Sequence, residues 1–306
     1  MSNPYYRDYS DFLSEHFGGK VQKLTVNAGF SCPNRDGKKG FGGCSYCNNS
    51  TFSPSIGEQA YSVSEQLSKA KAFFGRKYKD MKYLAYFQTY TNTNADIETL
   101  RKLYSEALSD IDVVGMVIAT RPDCINHELL TMLAELNDYK PVLMEYGAES
   151  SHNATLTRVN RCHTWEETVS AVELTKVFGL SVGLHFIMGL PGETREMMLQ
   201  TVDRLNELNV DTVKFHQLQI VKGTRLAKEY EGGYSDIYPF DLDDYLELCV
   251  EIVDRIKQSI AIDRFTASSP ENLLIAPRWG IKNYQFTHLL HNRLKERMRS
   301  SRAEEV

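Results

Sequence analysis

The sequence predicts an α/β protein of six βα units, arranged as an open parallel sheet or a partial barrel, with a helical and loop extension after it. Apolar, β-branched runs alternate with helical patterns, as a parallel sheet with crossover helices requires. The runs recur about every 30 to 40 residues, which is a βα repeat distance. The motifs that could carry chemistry fall just after these runs, at the carboxyl ends of the strands, where both architectures keep their sites.

Strands are expected over 23–29, 83–90, 113–120, 141–148, 180–188 and 212–220. Helices are expected over 62–77, 96–109, 126–136, 164–178 and 195–208, where apolar residues recur at helical spacing. Residues 1–22 read as an N-terminal extension, 23–222 as the barrel and 223–306 as a C-terminal extension. Within that last part, 223–241 reads as a long loop, 241–257 as an amphipathic helix and 266–277 as another loop before a basic segment.

Composition is that of a soluble protein, with 42% hydrophobic and 25% charged residues and no long apolar run. A transmembrane helix and a signal peptide are therefore not expected, and no membrane partner is implied. Six cysteines in 306 residues is too sparse for a disulfide framework, which favours the cytoplasm. Net charge is −5, so the whole chain is no generic polyanion binder and DNA is not an expected partner. From Arg278 to Val306 the balance is net +4 and the remainder is −9. That segment carries Arg278, Lys282, Arg293, Lys295, Arg297, Arg299 and Arg302, with Trp279, Tyr284 and Phe286. It is either an RNA grip or a solvated helix face.

The most informative motif follows the first strand. Cys32, Cys44 and Cys47 lie in GFSCPNRDGKKGFGGCSYC, with eleven residues between the first two and two between the last pair. Three thiolates can hold three irons of a 4Fe–4S cluster and leave the fourth open to bind a small molecule. The alternatives are structural zinc, which wants a fourth ligand where only His16 lies near, and a redox dithiol, which would leave Cys32 idle. The glycines of this loop let backbone approach a cluster closely. Tyr46, between the last two cysteines, either packs the loop or faces a nucleoside.

Other strand ends add to the pattern. Residues 88–93 (QTYTNT) end the second strand and Thr120-Arg121-Pro122 the third. Glu149 ends the fourth, and Arg161 follows twelve residues later. A carboxylate there can accept from a ribose diol and an arginine can clamp a carboxylate, unless the two form a surface ion pair. Gly189 to Glu193 (GLPGE) follows the fifth strand and offers a flat backbone strip for a planar ring, or an ordinary βα turn. His185 and His216, with Lys214, sit in strands five and six as core histidines or as substrate contacts. Cys124, Cys162 and Cys249 show no ligand spacing and read as structural.

Taken together these residues resemble the radical S-adenosylmethionine (SAM) superfamily over nearly the whole chain. The phrases GFSCPNRDGKKGFGGCSYCNN, YFQTYTNT, GAESSHNATLTRVNRCHT, HFIMGLPGET and LLIAPRW resemble one bacterial group, the YhcC/YtqA-like proteins. That group is similar to the radical SAM domain of the Elongator catalytic subunit, a tRNA-modifying enzyme. The eleven-residue cysteine gap departs from the commoner Cys-x-x-x-Cys-x-x-Cys and is similar to this group and to Elongator.

The resemblance implies a partial (β/α)6 barrel, with a 4Fe–4S cluster on Cys32, Cys44 and Cys47 as the catalytic centre and SAM on its open iron. An electron from a flavodoxin- or ferredoxin-like donor would cleave SAM, and the deoxyadenosyl radical would abstract hydrogen from substrate. By position, Glu149 would contact the SAM ribose and Arg161 its carboxylate. Gln88, Thr89 and Thr91 would lie near its amino end, and Ile187 and Gly189 near its adenine, with Tyr46 beside the nucleoside. The implied role is tRNA wobble-uridine modification, with tRNA held by the basic segment. The competing readings are a radical SAM enzyme for a small metabolite or peptide, and a metal-binding module without catalysis.

Overall fold

A computed structural model of the chain describes residues 3–18, 21–51, 61–75 and 81–304. Six parallel strands follow one another across a sheet: β1 (Val21–Val26), β2 (Lys82–Phe87), β3 (Val113–Thr120), β4 (Val142–Glu149), β5 (Ser181–Met188) and β6 (Thr212–Gln217). The chain then leaves the sheet as β7 (Ile220–Val221). It returns as β8 (Ala261–Arg264), parallel to β6, which makes seven strands. β7 pairs antiparallel with β9 (Leu274–Ala276) instead.

The α/β half-barrel is therefore as expected, but the C-terminal part contributes a strand to it. The run expected over 212–220 is broken, and the loops expected over 223–241 and 266–277 contain a helix and β9. Residues 76–77 of the helix expected over 62–77, and the last two residues of the basic segment, lie outside the described residues.

Helices cover the outer face: α2 (Val63–Phe74), α3 (Ile97–Ser109), α4 (His127–Tyr139), α5 (Asn153–Arg158), α6 (Trp165–Val177) and α7 (Arg195–Glu207). The sequence starts several of them with a side chain that takes an otherwise unpaired N–H. Asp96 accepts from Thr99 N, Asn126 from Leu129 N and Thr194 from Met197 N. Ser62 with Glu65, and Thr164 with Glu167, form reciprocal capping boxes. Beyond them come α8 (Arg225–Glu231), α9 (Leu242–Arg255) and α10 (Asn283–Glu304). Among the described residues no helix is long and apolar enough to cross a membrane.

Two apolar layers set the shape. Leu24, Phe87, Ile118, Met144, Phe186 and Phe215 face the helices. On the inner face, α1 (Tyr9–Phe17) packs Tyr9, Phe12 and Leu13 against Leu84, Val117, Leu143 and Ala261, which closes the amino-terminal mouth of the lumen. The sheet curls until its edges meet: Lys23 Nζ on β1 lies 2.7 Å from Asp263 Oδ2 on β8. Beside this joint, Ile262 N donates to Arg7 O at 2.8 Å.

Between the plug and the open mouth lies a layer of charge. Lys214 Nζ meets Glu145 Oε2 at 2.6 Å and Tyr86 donates to the same oxygen at 2.8 Å. Lys23 reaches Glu145 Oε1 at 3.2 Å. Burial pushes Glu145 up, but its two lysines outweigh that and hold the carboxyl below its usual range. Burial dominates for Lys214, whose ammonium is pushed down to about 8 despite its carboxylate partner.

Candidate active site at the carboxyl mouth

The loop after β1 brings its three cysteines to one cavity. Cys32, Cys44 and Cys47 line a space of about 130 Å³ together with Gln88, Glu149 and Arg161. Among the described residues no three Cys, His, Asp or Glu side chains are grouped as ligands of a single metal ion. The three thiols instead stand around a space. Burial, and the neighbouring Cys44, push the Cys47 thiol up to about 11.

Short polar links fix the loop. Arg35 donates to Cys47 O at 2.9 Å. Asn34 is fully buried and donates to Asn160 O at 2.6 Å and to Cys44 Sγ at 3.6 Å. Asn160 Nδ2 returns a bond to Gly43 O at 2.9 Å. Gly40 is required here, because a Cβ at that position would sit 2.4 Å from Asn34 Oδ1.

Arg161 is the hub of the opposite wall. Its Nη2 donates to Gly147 O at 2.6 Å and lies 3.6 Å from Glu149 Oε1, while Nη1 donates to Cys44 Sγ at 3.6 Å. Burial lifts the Glu149 carboxyl above its usual range, with Arg161 and Arg121 pulling it back. A bulge in β4 between Gly147 and Glu149 turns the carboxylate inward. Glu149 has φ 68°, and Tyr90, Asn160 and Cys162 also have positive φ. Among the described residues these are the non-glycine positions held in that region, and all lie at the end of β4 or on the loops of this mouth, where backbone strain commonly marks function.

Several buried polar atoms lining or adjoining the cavity have no partner among the described residues: Glu149 Oε2, Thr91 Oγ1, Thr89 Oγ1, Tyr46 OH and Arg121 Nη1. An unpaired buried polar group costs about 1 to 3 kcal/mol, so a set of them around one cavity fits a polar ligand. The donor set suits a cluster on three thiols and a zwitterionic nucleoside. It offers a carboxylate oxygen to a diol and cationic side chains to a carboxylate.

The structure separates the expected site residues into groups. Cys32, Cys44, Cys47, Tyr46, Gln88, Glu149 and Arg161 share the cavity. Thr89 is buried just behind Gln88. Ile187 lies in a neighbouring apolar cluster with Val159 and Leu190, against which Tyr46 packs. Gly189, with φ 84°, is faced by Phe240, whose Cε2 would lie 2.7 Å from an added Cβ. Glu193 accepts from Ser150 Oγ, away from the cavity lining, and burial pushes it up to about 7.

Two residues given no role in the sequence reading emerge here. Arg121, 2% exposed, chelates Asp123 at 2.8 and 3.0 Å and donates to Arg161 O at 2.8 Å, bracing the loop between α5 and α6 that carries Arg161. Its signal was an arginine at the end of an apolar strand, followed by Pro-Asp. Asn34 carries no such signal. The basic C-terminal segment is partly spent on the protein itself: Arg293 pairs with Asp243 and Glu247 at 2.8 Å, and Arg297 with Asp254 at 2.7 Å. Trp279 stacks on buried Phe286, while Tyr284 is exposed.

Comparison with known proteins agrees with this geometry. The profile of the Radical SAM superfamily matches residues 32–205, and that of the radical SAM C-terminal domain matches residues 210–296. YtqA of Bacillus subtilis, an uncharacterized protein, is 36% identical over 292 residues, 95% of this chain and 90% of the relative. A tRNA uridine(34) acetyltransferase of Methanocaldococcus infernus is 24% identical over 199 residues, 63% of this chain and 36% of the relative. The solved structure of the archaeal M. infernus Elp3 superposes with a TM-score of 0.68 at 17% identity, covering 90% of this chain and 63% of that one.

Proposed function

The chain belongs to the radical SAM superfamily, whose members use a 4Fe–4S cluster and SAM, and we propose that Cys32, Cys44 and Cys47 hold that cluster in the cavity at the barrel mouth. The observation that carries this is the meeting of three thiols, Arg161 and the unpartnered Glu149 Oε2 around one space. With both groups bound, the chemistry supplied is one-electron cleavage of SAM followed by hydrogen-atom abstraction from substrate. The protein's own part is positional. Arg161 clamps the SAM carboxylate, and Glu149 accepts from the ribose diol. Gln88, Thr89 and Thr91 surround the amino end. Tyr46, Ile187 and Gly189 form the adenine side. The α1 plug keeps water from the far end of the lumen.

The substrate we infer is tRNA at a wobble uridine, in the cytoplasm, with a flavodoxin- or ferredoxin-like protein as electron donor. Support comes from the resemblance to Elongator and from the relative that acts on uridine 34 of tRNA. A second cavity of about 430 Å³, lined by Arg278, Lys282, Trp279 and Gln219, offers cationic and aromatic groups beside the end of β6. One observation favours a small metabolite or peptide instead: α9 neutralises Arg293 and Arg297, which shrinks the basic patch. Nucleoside mass spectrometry of tRNA from the host with and without this gene separates the two. Accumulation of a wobble-uridine precursor on deletion supports the RNA reading, and matching profiles in a host with no second enzyme for that step overturn it.

A further inference from the structure

The charge layer in the lumen leaves one cation over. Glu145 and Asp263 are both bound by Lys23 and Lys214, at 2.6 to 3.5 Å. The side chain of Arg264, next to Asp263, makes no hydrogen bond or ion pair among the described residues, and its Nε is buried without a partner there. Its presence on this face is built in. The β6–β8 register shifts so that Val213 pairs with Ile262 but Lys214 pairs with Arg264, which skips Asp263. A bulge of this kind turns two consecutive side chains to one face. Without it, alternation would send Arg264 to the helix side with Ile262.

A second group on the same level is also unsatisfied. Cross-strand pairing sets Gly147, His185, Lys214 and Arg264 in one row across four strands. That row runs from Gly147, against which Arg161 is bonded, to Arg264, about 14 Å along the sheet. His185 Nε2 is buried with no partner among the described residues. The His185 ring lies 4.6 Å from that of His216, whose Nδ1 donates to Gln217 O at 2.8 Å. Burial holds both imidazoles neutral, with His216 down to about 4, and the positive charge of Arg264 deepens the shift at both.

We propose that Arg264 and His185, braced by His216, form a binding site for one anionic oxygen group of the substrate, a carboxylate or a phosphate ester, inside the lumen beside the SAM cavity. The guanidinium and the His185 Nε2–H both donate, and the anion supplies the charge that Arg264 lacks. This goes beyond the proposed function and stands whether or not the substrate is RNA.

The test is an NMR titration of the full chain carrying 15N-labelled histidine. Sodium acetate and inorganic phosphate are added separately, against sodium chloride at equal ionic strength, with H185Q and H216Q assigning the two signals. A saturable shift of the His185 and His216 signals is expected, with apparent affinity about tenfold weaker in R264Q and largely restored in R264K. A response to acetate alone identifies a carboxylate site, and one to phosphate alone a phosphate site. No saturable shift with either anion, or unchanged affinity in a folded R264Q, overturns the site. Should R264Q not fold, the parent titration decides by itself. Neither SAM nor tRNA enters the experiment, so its failure and that of the RNA reading are distinguishable.

Discussion

Lys23 and Asp263 meet at 2.7 Å on the first and last strands of the sheet, although no backbone ladder joins those strands. The curl is thus held at its seam by a half-buried ion pair and by the Arg7–Ile262 bond beside it. Breaking such a pair from one side leaves Glu145 and Asp263 to share Lys214 as their one lysine partner. Lys23→Met should lower the unfolding free energy by about 3 to 5 kcal/mol, read from urea denaturation. A midpoint and slope equal to the parent's would show that the seam is held by packing alone.

Each of Cys32→Ala, Cys44→Ala and Cys47→Ala should abolish the brown absorbance and most of the iron of anaerobically reconstituted protein. The variants should remain folded, because these thiols stand around a cavity and not in the apolar core. Full iron in Cys47→Ala would remove that residue from the ligand set.

Arg161→Gln should weaken SAM binding by about 10- to 100-fold, the magnitude of a lost charge-assisted contact, while leaving iron content near the parent's. Equilibrium dialysis with labelled SAM measures it. Unchanged affinity would take Arg161 out of the site.

A methyl group at Gly147 would lie 2.5 Å from Glu149 Oε1 and 2.8 Å from Arg161 Nη2. Gly147→Ala should therefore separate this pair, cost about 1 to 3 kcal/mol of stability, and impair SAM binding without touching a thiol. Parent-like SAM affinity in the folded variant would contradict the tight fit described for this wall.

Glu193 gives a pH signature. Its folded pKa of about 7 lies above the ordinary carboxyl value, so the folded state holds a proton that the unfolded chain has released. The stabilisation is present at low pH and is lost as pH rises through about 7. Glu193→Gln should flatten the fall in melting temperature between about pH 5 and 8. A slope identical to the parent's would mean that other groups set it.

Much of this was legible in the sequence, for identifiable reasons. The six long strands are apolar runs at a regular spacing, and the chemistry-bearing residues sit at their carboxyl ends, so Cys32, Glu149 and Arg161 could be placed before any coordinates. The seventh strand could not. Ala261–Arg264 is four residues long and half charged, because its inner face meets lysines and not apolar side chains. How the basic segment is used was not legible for a related reason: a charge count shows the cations but not the acidic α9 residues across from Arg293. Arg121 and Asn34 act by bracing other residues, and bracing leaves no spacing pattern.

The α1 plug has a consequence for traffic. With Tyr9, Phe12 and Leu13 filling the amino-terminal mouth and the Lys23–Asp263 pair bridging β1 and β8, the lumen is a cul-de-sac among the described residues. Among the described residues the carboxyl mouth is the doorway left open, so with SAM seated in the three-thiol cavity there, as proposed, substrate would enter after it and product would leave before it. A polymer cannot thread through. It has to push a single projecting unit into the doorway, as an RNA does when it unstacks one nucleotide from a loop.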